Sequence, residues 1–127
     1  MNLIEIFSII LIHWIADFVV QSDEQAKGKS KNWKHLLGHT VTYSGVWLVI
    51  GFTILTDWFN DWSIAVSNSI WMFVLITFVL HTITDYFTSR LNSKLWAKGD
   101  VHNFFVSVGF DQVLHYIQLF LTYQLLK

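Results

Sequence analysis

Residues 11–21 read L-I-H-W-I-A-D-F-V-V-Q, an apolar stretch that is interrupted by His13, Asp17 and Gln21. The same histidine–aspartate spacing returns in L-H-T-I-T-D-Y-F, where His81 and Asp85 stand in a second apolar segment. An ionisable side chain inside a bilayer costs about 3 kcal/mol even on the lower scales, and such residues mark functional sites. The repeated pair therefore indicates membrane helices whose ionisable side chains belong to one functional site.

The composition is that of a membrane protein. Hydrophobic residues make up 54% of the 127 positions and charged residues 13%, whereas a soluble domain carries about 25% charged residues. The chain is too short for two ordinary soluble domains, so we expect a single transmembrane domain over residues 1–127. The net charge of −1 predicts no nucleic-acid partner. The absence of cysteine excludes disulfides and thiolate metal ligands.

Four segments are apolar and long enough to span a bilayer, which takes about 20 residues. The predicted helices cover residues 2–21, 33–55, 64–88 and 103–126, and the third has room to continue to Lys98. Proline is absent, so long unbroken helices are allowed. The sequence therefore predicts an all-α fold, an integral membrane four-helix bundle.

The connectors differ in charge, which predicts the topology. Seven of the eight basic residues flank the first and third connectors: Lys27, Lys29, Lys31, Lys34, Arg90, Lys94 and Lys98. The positive-inside rule then puts both connectors in the cytoplasm and both termini outside, for a multi-pass protein of the cell inner membrane. In the acidic second connector, Trp58, Phe59 and Trp62 fit an outer interfacial aromatic belt.

The third connector contains S-R-L-N-S-K-L-W-A-K-G, in which Leu91, Leu95 and Trp96 stand among cations. This pattern fits a helix end that lies along the cytoplasmic interface. It fits a solvated basic connector equally well. Gly99 is predicted to end the helix in either case.

Ionisable residues in and around the predicted spans form four pairs with one spacing, i and i+4. The eight candidates for metal ligands are His13, Asp17, His35, His39, His81, Asp85, Asp111 and His115. In a helix this spacing puts both side chains on one face, with Cβ atoms about 6 Å apart, as in HExxH zinc helices. The predicted topology puts all four pairs toward the cytoplasmic leaflet, so we expect them to meet.

Imidazole and carboxylate without thiolate suit Zn²⁺, Mn²⁺ or Fe²⁺. A single catalytic zinc takes three protein ligands, so eight candidates exceed one such centre. Two ions about 3.5–4 Å apart would use them. Alternatively, one ion takes four groups and the other aspartates orient histidines. The structural alternative is hydrogen-bonded contact between helices, and it applies most to His35, which lies beside Lys34 at the water boundary.

Other polar residues are candidates for roles around the metal. Asp111 is predicted to be a ligand or the general base. Gln112 and Gln21 are predicted to orient water or substrate. Lys29 and Ser30 are candidates for binding a phosphate-bearing small molecule or lipid, although the lysines of this connector also suit topology determination and attraction to anionic membrane lipid.

The order HxxxD followed by [HD]xxxH occurs twice along the chain. This order suggests two tandem helix-pair repeats. Both halves begin and end outside, so they would be related by an axis along the membrane normal. The four helices either close the site within one chain or share it across a homo-oligomer.

The succession H-W-I-A-D-F-V-V-Q, K-S, L-L-G-H-T-V-T-Y, H-T-I-T-D and F-D-Q-V-L-H resembles a family of small bacterial and phage membrane proteins labelled domain of unknown function 3307. The resemblance runs from His13 to His115 and implies no activity. More loosely, the pattern is similar to small inner-membrane proteins described as metal-dependent hydrolases. That resemblance implies a metal site at His13, Asp17, His39, His81, Asp85, Asp111 and His115.

We therefore expect an integral membrane metal-dependent hydrolase that acts near the cytoplasmic leaflet on a phosphoester or on another ester or amide. Transport or sensing of a metal ion or of protons is an alternative, because buried histidine–aspartate chains also mark ion pathways. A di-iron lipid oxidase is a third reading, although its pattern is richer in histidine. A structural or partner-binding role is a fourth.

Overall fold

The structure, a computed structural model, describes residues 1–50 and 64–127. Within these ranges every regular element is helical, which confirms the all-α prediction. In chain order the elements are α1 (Leu3–Trp14), a π-helical turn (Ile15–Val19), α2 (Asp23–Gly28), α3 (Trp33–Ile50), α4 (Ile64–Ala97) and α5 (Val101–Leu126). The predicted aromatic belt of Trp58, Phe59 and Trp62 and the end of the second predicted helix lie outside the described residues.

The first predicted helix, residues 2–21, is divided into two kinds of helix. Asn2 and Glu5 form a capping box at the start of α1, which satisfies backbone N–H groups that the first helical turn leaves unpaired. After Trp14 the chain continues as a π turn, closed by the Val20 N–H, which donates to the Ile15 carbonyl at 2.9 Å. The wider turn changes the direction in which its side chains point, and such turns are common at functional sites.

The first connector contains a short helix that the hydrophobic pattern did not predict. Ser22 and Gln25 form a capping box at the start of α2. The side chain of Gln25 also donates from Nε2 to Thr42 Oγ1 of α3 at 3.3 Å. This bond holds α2 against α3, so the connector is a folded part of the molecule.

α4 continues past the predicted span of residues 64–88 to Ala97, close to the predicted limit at Lys98. Its 34 residues correspond to about 51 Å at 1.5 Å per residue, longer than the roughly 30 Å hydrocarbon core of a bilayer. Gly99 ends the helix with a φ of 73°, and the N–H of Asp100 donates to the Leu95 carbonyl at 3.0 Å. This is a Schellman turn, in which glycine adopts the left-handed conformation without strain. Asp100 then caps α5 by accepting from the Asn103 N–H.

The helices pack around α4 and α5, which lie along each other, while α3 packs on α4 and α1 contacts both α3 and α5. One apolar cluster forms the core at the end of the molecule that holds the N- and C-termini: Ile9, Ile12, Ala16, Tyr43, Trp47, Phe73, Leu119 and Tyr123. Toward the other end the buried residues are mostly polar, and these form the site.

The interior of the described chain is more polar than its surface. Buried side chains comprise 13 polar or charged residues and 10 hydrophobic ones, while 30 large hydrophobic residues are exposed. Two of the described helices, Asn68–Ala97 and Val101–Leu126, are long and apolar enough to cross a membrane. A water-soluble core has the opposite distribution.

Candidate metal centre

Four buried side chains from three parts of the chain meet at one point. Asp17 comes from the π turn, His39 from α3, and His81 and Asp85 from successive turns of α4. One ligand atom of each lies within 4.8 Å of all the others. We call these four residues the first ligand group, and they could hold a metal ion.

The spacing of these atoms suits four ligands around one small cation. His39 Nε2 lies 3.0 Å from Asp17 Oδ1, 3.2 Å from Asp85 Oδ2 and 3.1 Å from His81 Nε2. His81 Nε2 lies 3.6 Å and 3.7 Å from the same two oxygens. Ligands at about 2.0–2.1 Å from a tetrahedral zinc stand about 3.4 Å apart, so the observed separations fit such a centre.

Hydrogen bonding alone leaves this group unsatisfied. His39 Nε2 lies within 3.2 Å of Asp17 Oδ1, Asp85 Oδ2 and His81 Nε2, but a neutral imidazole carries one N–H, which serves only one of the two carboxylate oxygens well. Asp17 Oδ1 is buried and receives no well-aligned hydrogen bond from the described chain. Buried polar atoms are normally paired, and a cation among these lone pairs would satisfy them together.

A second ligand group consists of Asp17, Asp111 and His115. His115 Nε2 lies 3.4 Å from Asp111 Oδ1 and 3.2 Å from Asp85 Oδ1. Asp85 therefore faces the first group with Oδ2 and the ring of His115 with Oδ1. Asp17 is a member of both groups. The carboxylates of Asp17 and Asp85 therefore lie between two adjoining positions that could each hold a cation.

The charge of the centre also suits cations. Three buried carboxylates, from Asp17, Asp85 and Asp111, stand against the one ammonium of Lys29, whose Nζ donates to Asp85 Oδ2 at 2.8 Å. Burial lowers the pKa of Lys29, but the nearby carboxylates of Asp85 and Asp17 outweigh this and raise it above the ordinary value. With neutral histidines the centre carries two net negative charges, which one divalent cation would neutralise.

His13 lies beside the ligand groups and not in them. Its Nδ1 is 2.8 Å from the Tyr43 hydroxyl and its Nε2 is 2.8 Å from Gln112 Oε1. The amide of Gln112 donates from Nε2 to Asp17 Oδ2 at 3.2 Å and to Asp111 Oδ2 at 3.1 Å. With this amide orientation His13 donates from Nε2 and accepts at Nδ1 from Tyr43. The chain from Tyr43 through His13 and Gln112 thus positions two carboxylates.

His35 and Ser30, two further predicted site residues, lie outside both the ligand groups and the cavity that opens onto them. His35 is partly exposed, and its ring lies against Gly28, where a Cβ would stand 2.5 Å from the His35 Cγ. Ser30 accepts a hydrogen bond from the Ser93 hydroxyl at 2.7 Å. Ser30 therefore ties the first connector to α4.

A cavity of about 170 Å³ opens onto the centre from the side of the first connector. Its polar lining includes four of the five predicted catalytic and substrate-binding residues, Gln21, Lys29, Asp111 and Gln112, together with Asp17 and Asn92. The volume holds a few water molecules or one phosphate-sized group. The cavity therefore gives a small polar ligand access to both ligand groups.

Sequence reasoning missed Tyr43 and Asn92. Tyr43 follows His39 by four residues in H-T-V-T-Y, so the same i and i+4 rule could have identified it. Its ring stacks on His81 with centroids 3.8 Å apart, and the His115 ring stacks at 4.2 Å. Asn92 has no comparable signal, because it follows the predicted span in a connector-like stretch.

A family model described as a protein of unknown function (DUF3307) matches residues 6–127. This match covers both ligand groups and confirms the resemblance that the motifs indicate. Searches of curated proteins and of solved structures found no match. The looser resemblance to metal-dependent hydrolases finds no support in these comparisons, so an activity must be inferred from the site itself.

Proposed function

Because the chain belongs to the DUF3307 family, which is of unknown function, we propose from the geometry of its buried centre that it is an integral membrane metal-dependent hydrolase. The observation that carries this proposal is the pair of ligand groups that adjoin at Asp17 and Asp85. Such an arrangement suits two ions of Zn²⁺, Mn²⁺ or Fe²⁺, and two-metal sites are typical of phosphoester hydrolysis.

In this proposal the chain forms a four-helix bundle in the cell inner membrane. The exposed apolar side chains support lipid contact, since only 28% and 22% of the apolar stretches within Asn68–Ala97 and Val101–Leu126 are buried. The basic residues of the first and third connectors favour a cytoplasmic position for the cavity mouth and an outer position for both termini. The centre would then act near the cytoplasmic leaflet.

Bound ions would supply Lewis-acid activation of water and neutralise phosphoryl oxygens. Asp111 lines the cavity and takes a proton from the attacking water. The water oxygen forms a bond to phosphorus while the bond from phosphorus to the alcohol oxygen breaks, and the proton passes to that oxygen. Water and phosphoester thus give alcohol and phosphate. Gln112 holds Asp111 and Asp17 in place, and Lys29 attracts the anionic group.

Transport of a metal ion or of protons is the second candidate, and one observation favours it. Gln118 donates from Nε2 to both Thr77 Oγ1 at 3.1 Å and Thr122 Oγ1 at 3.2 Å, a polar chain that extends from the centre toward the termini. The apolar core cluster lies at the same level and includes the buried rings of Trp47 and Phe73. Because packed aromatic rings block hydrated ions, hydrolysis remains the better-supported proposal.

Phosphoester turnover tests the proposal directly. Detergent-purified protein loaded with zinc or manganese should release p-nitrophenol from p-nitrophenyl phosphate, stop after chelation, and resume when the metal is restored. Asp111→Asn should lower kcat by about 100-fold or more, while His102→Ala, at an exposed position, should leave turnover unchanged. Turnover that survives both chelation and Asp85→Asn would contradict the proposal. Metal-dependent uptake into proteoliposomes without turnover would favour transport.

A further inference from the structure

A second, larger recess lies next to the cavity of the metal centre, with a volume of about 790 Å³. It is formed by the first connector, the end of α4 and the start of α5. We call it the basic–aromatic groove and define it by six of its residues: Lys27, Lys29, Lys31, Trp96, Phe104 and Phe105. Neither phosphoester hydrolysis nor ion transport by itself accounts for its aromatic half.

The groove is continuous with the cavity of the metal centre. Lys29 and Asn92 line both recesses, and the Nζ of Lys29 reaches Asp85 at 2.8 Å. The Asn92 Oδ1 atom, a hydrogen-bond acceptor at the junction of the two recesses, is buried without a hydrogen-bond partner in the described chain. A molecule in the groove therefore lies next to the cavity that reaches Asp17 and Asp111.

The two sides of the groove differ in chemistry. Three lysines of the first connector line the side that adjoins the cavity. Lys27 pairs with Asp23 and Lys29 with Asp85, so Lys31 is the cation of this side that has no ion pair among the described residues. On the other side, Trp96 and Phe104 meet edge to face with centroids 5.0 Å apart. Trp96 is 60% exposed and Phe105 is 63% exposed, so these rings offer apolar surface to a ligand. This distribution complements a molecule with an anionic head and an apolar tail.

We propose that the basic–aromatic groove binds a phosphate-bearing membrane lipid. Its phosphate lies between Lys29 and Lys31 at the mouth of the metal cavity, and its acyl chain lies along Trp96 and Phe105. This assignment rests on the proposed function and names the substrate class of the same centre. A free phosphate would leave the aromatic side without a role, and a neutral lipid would leave the lysines without one.

Calorimetric titration of the zinc-loaded protein in detergent tests the assignment with three probes: dioctanoyl phosphatidic acid, inorganic phosphate and dioctanoylglycerol. Phosphatidic acid should bind at least about tenfold more tightly than either of the others, because it alone uses both sides of the groove. Inorganic phosphate that binds as tightly as phosphatidic acid would overturn the assignment, since the tail would then contribute nothing. Dioctanoylglycerol that binds as tightly as phosphatidic acid would also overturn the assignment, since the phosphate would then contribute nothing.

Matched variants locate the binding site. Lys31→Ala should weaken phosphatidic acid binding about fivefold, and Phe105→Ala about tenfold. The controls are Lys34→Ala, a nearby cation outside the groove lining, and Phe110→Ala, a phenylalanine of α5 that is 59% exposed. Both controls should change affinity less than about twofold. Equal losses in variants and controls would show general attraction to the micelle and would overturn the assignment.

Zinc content measured on the same samples separates this inference from the proposed function. Lys31→Ala and Phe105→Ala change no member of the ligand groups, so both variants should keep the wild-type zinc content. Wild-type protein that holds zinc but does not prefer phosphatidic acid would refute the groove assignment alone. Wild-type protein that holds no zinc would refute the metal centre, and with it the assignment of a substrate to that centre.

Discussion

His13 and His81 occupy matching positions in the two HxxxD motifs, but the structure gives them different partners. His81 points Nε2 at Asp17 and Asp85, whereas both ring nitrogens of His13 are bonded to Tyr43 and Gln112. Aligning the motifs pairs residue 112 with residue 36, a leucine, and residue 43 with residue 119, also a leucine. The two halves therefore differ at the residues that would engage a histidine, which explains the asymmetry.

Gln112 is the residue through which His13 acts on the carboxylates, and its removal should be measurable. Gln112→Leu leaves His13 Nε2, Asp17 Oδ2 and Asp111 Oδ2 without this partner, which should lower the free energy of unfolding by about 1–3 kcal/mol. Gln124→Leu on the same helix, at an exposed position, is the control and should have almost no effect. Thermal unfolding in detergent provides the measurement. Equal melting temperatures for the two variants would contradict the role assigned to Gln112.

At the scale of elements, the first connector is a packed unit whose position depends on one close approach. A Cβ at Gly28 would lie 2.5 Å from Cγ and 3.0 Å from Cβ of His35, whereas a Cβ at Gly45 would meet nothing within 4 Å. Gly28→Ala should therefore destabilise the protein by about 1–3 kcal/mol through overpacking. Gly45→Ala, inside α3, should stabilise it by up to about 1 kcal/mol. Chemical unfolding of the pair checks the opposite signs, and a neutral Gly28→Ala would show that the connector is not packed as described.

The elements also show which parts of the fold the sequence could predict. Apolar length predicted a third helix that could continue to Lys98, and α4 ends at Ala97. The π turn at Ile15–Val19 escaped prediction because an i to i+5 bond leaves no periodic trace over five residues. The sequence S-D-E-Q carried the capping-box signature that starts α2, but a search for membrane spans passes over so short a helix.

At the scale of the whole molecule, the proposed topology puts the first connector in the cytoplasm and the second outside. The chain has no cysteine, so single cysteines report their own position. Lys31→Cys should react with a membrane-impermeant maleimide only after the cytoplasmic side is opened. Asn60→Cys, in the sequence-predicted outer connector, should react in intact cells. The reverse pattern would invert the topology and move the mouth of the cavity to the outer face.

The sequence was enough to predict that the ionisable pairs lie close together, but not which of their atoms face one another. Spacing and depth predicted that all four pairs would meet, and the structure brings at least one member of each pair into the ligand groups. Which atoms face each other depends on how each helix is rotated about its axis, and side-chain pattern constrains that rotation weakly in membranes, where both faces can be apolar. For this reason the position of His13 and His35 beside the ligand groups, and of Asp85 between them, required the structure.

Zinc stoichiometry of the detergent-purified protein tests the central claim most directly. Elemental analysis should give two ions per chain for the wild type and for His35→Ala, about one for His39→Ala and for His115→Ala, and fewer than one for Asp85→Asn, because that carboxylate faces both positions. Protein that binds no stoichiometric transition metal, or that keeps the wild-type content in His39→Ala and Asp85→Asn, would contradict the metal centre.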